Sequence, residues 1–92
     1  MEHSYISEIE IIPIRAKDGL IAFASVLLDK KIKLGSIGIF TKLNGGVRLT
    51  YPTKGMFNIF NPITKELSQA IEKSVIEKLN EISGGIYDAD AI

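Results

Sequence analysis

The sequence predicts an α+β domain: an antiparallel sheet of four to five strands followed by a C-terminal helix packed on or beside it. Three observations carry that expectation. Up to Phe60 the apolar residues either alternate with polar ones or run in strand-length blocks. Asp18-Gly19 and Asn44-Gly45-Gly46 divide those blocks with residues that suit tight hairpins. After Asn61-Pro62 the apolar period changes from two to 3.6.

The first strand spans Tyr5 to Ile14. Ile9 and Ile11 alternate with Glu8 and Glu10, so one face meets a core and the other meets water. Pro13 has no N–H for a ladder and points to an edge strand or a bulge. Leu20 to Leu28 forms the second strand. Leu20, Ala22, Ala24, Val26 and Leu28 point one way, and Ile21, Phe23, Ser25 and Leu27 point the other. A strand that is apolar on both faces is central and covered on both.

Asp29-Lys30-Lys31 makes the next turn, and Ile32 to Thr41 the third strand. Its apolar phase changes at Gly35, which marks a bulge. Val47, Leu49 and Tyr51 alternate with Arg48 and Thr50 as the fourth strand, closed by Pro52, and Phe57 to Phe60 is a short fifth. The helix starts at Asn61-Pro62 or one turn later at Thr64. Leu67, Ala70, Ile71, Ser74, Val75, Lys78, Leu79 and Ile82 make its inner face, and Ser83-Gly84-Gly85 ends it. Residues 1–92 are one domain with an ordered core of about residues 5–83, and the tail from Ile86 lies outside that core.

A chain of 92 residues with 46% hydrophobic residues folds, but a domain this small buries only roughly 60–65% of its unfolded surface. Disulfides, metals or association usually supplement such a core. The chain has no Cys, and its one histidine, His3, sits near the terminus, so association is the expected supplement. One helix covers one sheet face, which leaves Ile21, Phe23 and Leu27 as the candidate homodimer interface. There is no basic leader before an apolar core, and the apolar runs are strand-length, so the expectation is a cytoplasmic protein without a membrane segment.

The formal net charge of zero hides a segregation. Residues 1–29 hold five acids and two bases, residues 30–65 seven bases and no acid, and residues 66–92 six acids and two bases. A basic middle segment gives a neutral protein a local positive face for a polyanion. Lys30, Lys31, Lys33, Lys42, Arg48 and Lys54 are the candidate nucleic-acid contacts.

Catalysis and metal binding have no such support. Glu8 and Glu10 show the alternation of any half-exposed strand, and Ser25 lies in a buried strand with no histidine to activate it. The glycines never form a loop between a strand and a helix that would cradle phosphate. Catalytic residues, metal ligands and cofactors are expected to be none, and the chain to act by binding.

Several stretches together resemble the stage V sporulation protein G (septation regulator) family, over about Ile6 to Ile82. They are Ile9-Glu10-Ile11-Ile12-Pro13-Ile14-Arg15 with Asp18-Gly19, the block Leu20 to Asp29, Tyr51-Pro52-Thr53-Lys54, and Asn61-Pro62-Ile63. The resemblance lies in their order and spacing rather than in any single piece. It implies a dimer of small α+β subunits and a cytoplasmic regulator of septation, sporulation and gene expression acting through DNA or RNA. Of the basic residues that this resemblance associates with DNA binding, Lys54 is matched, while Gly55 stands where an arginine is expected and the following loop is shorter. The other reading of the same residues is a protein-interaction module that uses its sheet edge or apolar face and binds no nucleic acid.

Overall fold

The computed structural model describes residues 5–85, so His3 and the tail from Ile86 lie outside the described residues. Strands β1 (Ile6–Lys17), β2 (Leu20–Leu28), β3 (Ile32–Thr41) and β4 (Val47–Thr50) form one antiparallel sheet in the order β1-β2-β3-β4. β5 (Thr53–Lys54) and β6 (Phe57–Asn58) pair only with each other, as a separate ribbon, and α1 (Lys65–Ser83) follows. The expected fifth strand therefore exists in part, but it does not join the main sheet. Its would-be neighbour β4 is left as an edge.

Turn chemistry sets the meander. Asp18 and Gly19 have φ of 54° and 89°, and Asp29 and Lys30 have 55° and 56°. Paired positive φ values match the twist of the flanking strands. The Lys31 N–H closes the second turn on the Leu28 carbonyl at 2.8 Å. At the third turn Gly45 has φ 93°, and the Gly46 N–H donates to Asn44 Oδ1 at 3.2 Å. Thr64, not Asn61, caps the helix: its Oγ1 accepts the Leu67 N–H at 3.1 Å. At the other end Gly84, at φ 83°, donates to the Asn80 carbonyl.

The helix lies on one face of the sheet and approaches β1 and β4 most closely. Ile9, Ala22, Ala24, Val26, Ile37, Ile39 and Val47 meet Ile71, Val75, Ile76 and Leu79 in one buried cluster. Ala22 and Ala24 on the central strand keep the sheet shallow where the helix crosses, which lets the larger isoleucines of β3 and α1 fill the layer. Ile76 is fully buried although the inner-face pattern omitted it, and Ile82, assigned inward, is 52% exposed. The buried stripe of the helix is wider over its middle than a single 3.6-residue track.

Four irregularities shift the register. Between β2 and β3, Gly35 and Ser36 oppose the single residue Ser25, and Ser36, not Gly35, takes the left-handed conformation, at φ 63°. On β1, Ser7 is extra, and two further residues are extra between Pro13 and Lys17, so Pro13 is both on an edge strand and beside an irregularity. The fourth irregularity corrects the expected facing of β2. Leu20 pairs with Phe40 but Ala22 pairs with Ile39, so Ile21 is the extra residue. Leu20 therefore joins Phe40 on the outer face, and Ile21 packs against the core cluster. A strict period of two put both on the wrong side.

Candidate functional site

The face opposite the helix is built of cross-strand rows. Register places Glu8, Leu27 and Lys33 in one row, Ile12, Phe23, Gly38 and Thr50 in another, and Leu20, Phe40 and Arg48 in a third. Nothing else among the described residues covers this face. Its middle rows are apolar, with Ile12 52% exposed and Phe23, Leu27 and Phe40 half-buried. Of the three candidate interface residues, Phe23 and Leu27 lie on this open face, and Ile21 does not. Gly38 leaves little room on the same face, because a Cβ there would sit 2.6 Å from Thr50 Oγ1.

The six candidate cations do not form one patch. Lys30 and Lys31 are exposed in the β2–β3 turn, and Lys33 begins β3 beside them. Lys42 and Arg48 stand at the far end of β3, and Lys54 is on the ribbon beyond it. A strand rising about 3.3 Å per residue puts the two ends roughly 25–30 Å apart, close to the whole 34 Å length of the molecule. The cations also differ in their surroundings. Lys33 Nζ lies 3.3 Å from Glu10 Oε1 across the open face. Lys31 stands 4.0 Å from Asp29 in an exposed pair, which is worth little in water. The Arg48 guanidinium lies 4.7 Å above the Phe40 ring, which holds it at the rim of the open face. Lys42 acts on Glu72 on the helix side of the sheet.

Beneath that end lies a half-buried polar cluster. The Tyr51 hydroxyl is buried without a hydrogen-bond partner. Burial, and then the Glu72 charge, push its pKa up to about 12. Burial also raises the Glu72 carboxyl, and Lys42 partly opposes the shift. These groups face the seam between sheet and helix, and no nucleophile or imidazole stands beside them. Ser25 is 9% exposed, and its hydroxyl faces the Gly35 backbone. Among the described residues no group of three or more His, Asp or Glu could hold a metal ion, and no helix is long and apolar enough to cross a membrane.

The ribbon is the feature the sequence reading missed. Tyr51 and Phe60 anchor its root against the core, their rings edge-on at 6.1 Å, and the Ile59 N–H donates to the Pro52 carbonyl at 2.9 Å. From Thr53 to Ile59 every residue is exposed, including Met56 at 98%, Phe57 at 78% and Ile59 at 62%. The signal was Gly55-Met56-Phe57 beside a two-residue strand, too short to belong to a sheet.

No family model and no curated relative matches the chain.

Proposed function

We propose that this chain is a small homodimeric regulator of the kind the septation regulator family represents, working in the cytoplasm by sequence-tolerant binding of DNA or RNA and not by catalysis. One observation carries the reading: an uncovered apolar sheet face is bounded at both ends of β3 by exposed cations. A second copy covers the apolar centre, and Lys30, Lys31 and Arg48 remain at the margins to meet phosphates. The order and spacing of the sequence motifs support the same reading.

The two basic ends, roughly 25–30 Å apart, fall a little short of one turn of duplex, about 34 Å, a difference within the reach of Lys and Arg side chains. One copy then touches phosphates on the same side of a helix a turn apart. Three contacts from each of two copies predict that affinity falls by roughly a thousandfold between 50 and 200 mM salt. Titration of duplex DNA and of RNA at both salt concentrations tests this. No binding at the lower salt overturns the nucleic-acid reading. The protein-interaction reading would then replace it, favoured by the exposed Met56, Phe57 and Ile59.

A further inference from the structure

The chain presents two apolar surfaces that its own fold leaves in water. One is the open sheet face around Ile12, Phe23 and Leu27. The other is the ribbon, with Met56, Phe57 and Ile59 exposed. An isolated two-stranded hairpin is at best marginally stable in water, and exposed apolar residues in contiguous sets mark interaction surfaces. Here the ribbon is held rigid at its root by Tyr51, Phe60 and the Ile59–Pro52 hydrogen bond. It projects from the end of the edge strand β4 and does not fold back over the sheet.

We propose that the ribbon of one copy seats on the open sheet face of a second copy, and the second copy's ribbon on the first. The inference rests on the homodimer reading above and names the segment that makes the contact.

Two features favour a second copy as the occupant. At roughly 150 Å² per large apolar side chain, and with the exposures of Met56, Phe57, Ile59 and Ile12, reciprocal seating removes roughly 900 Å² from water. That is near the lower bound of about 1,000 Å² for a biological interface, the range of a weak dimer. A one-sided contact would remove half as much. Charge fits as well. Lys54 pairs across the ribbon with Phe57, so both project from the same side. Lys54 is the ribbon's one charged residue, and the open face carries Glu8 and Glu10. Seating Phe57 brings a cation toward Glu8, Glu10 being already paired with Lys33.

The chain contains no cysteine, so single cysteines report cleanly. Met56→Cys and Ile12→Cys proteins are mixed, equilibrated at micromolar concentration and oxidised, and sedimentation equilibrium is run on the parent and on Phe57→Asp. The expected result is a disulfide between the two variants in at least tenfold excess over either homodisulfide. Phe57→Asp, exposed in the single copy and so folded by circular dichroism, should have a dimer dissociation constant raised at least a hundredfold. If the Ile12→Cys homodisulfide dominates, or Phe57→Asp dimerises as the parent does, the two faces meet directly. That result overturns the ribbon's role and leaves the homodimer standing. A parent that sediments as a monomer near 10.1 kDa throughout overturns both.

Discussion

Lys30 separates stability from binding in a single side chain. It occupies the second turn position between β2 and β3 at φ 56°, where a Cβ is crowded against the backbone. Its backbone N–H donates to Ser7 Oγ at 2.8 Å, a bond any residue retains. Its side chain is exposed. Lys30→Gly removes the crowding, partly offset by the greater freedom glycine has when unfolded, for a net gain of about 0.5–1 kcal/mol. For a domain of this size that is a rise of about 2–8 °C in melting temperature. Lys30→Ala keeps the Cβ and should leave the melting temperature where it was. Under the proposed function, both substitutions remove one phosphate contact per copy. Each should therefore lower the slope of log affinity against log salt by about two for a dimer that engages both copies. Calorimetry and a salt titration on the three proteins check the two halves independently. If Lys30→Gly melts no higher than Lys30→Ala, the turn is not strained at this residue. If neither changes the slope, Lys30 touches no phosphate and the basic turn serves only as a solvated hairpin tip.

Ile76→Ala empties a fully buried site between helix and sheet and should cost about 2–5 kcal/mol. Thermal denaturation should show a fall of roughly 10 °C or more, while Ile63→Ala, at a 90% exposed position, should stay within about 0.5 kcal/mol of the parent. Glu72 has a folded pKa above its ordinary 4.5 because burial disfavours its charge. Its favourable contribution is therefore complete below that value and is lost as pH rises through the raised folded pKa. Glu72→Gln fixes the neutral form, so it should melt higher than the parent at pH 7, and the difference should close as pH falls toward 3. A gap that persists at pH 3 would assign the effect to packing and not to charge.

The order of elements was legible because each depends on local chemistry. Asp18-Gly19, Asp29-Lys30 and Asn44-Gly45 admit positive φ, and each sits where a hairpin turns. Thr64 and Gly84 mark the helix ends through their own side chain and conformation. The facing of individual residues was less legible wherever a bulge intervened. Alternation carries no information about an inserted residue, so Ile21 was assigned outward and Leu20 inward, and the Leu20–Phe40 pairing reverses both. Gly35 did signal the bulge in β3, yet Ser36 absorbs the positive φ. The bulge is set by the count of residues opposite Ser25, and a glycine nearby is only one way to accommodate it.

The candidate site was harder to read because sequence neighbours are not spatial neighbours in a meander. Residues 30–65 carry no acid, and along the chain that reads as one basic patch. Once the segment becomes a ten-residue strand with a turn at each end, its cations gather at the two ends, roughly 25–30 Å apart. Physiological salt screens exposed charges beyond about 8 Å, so the two groups act as separate sites and not as one field. Within each group the fold sorts the cations again. Lys33 crosses to Glu10 and Lys42 acts on Glu72, while Lys30 stays in water and Arg48 is held over an aromatic ring. A compact anion would meet only half of this charge at once. An extended polyanion, with phosphates repeating along its length, can satisfy both ends together, and that match favours a nucleic acid over a small phosphorylated ligand.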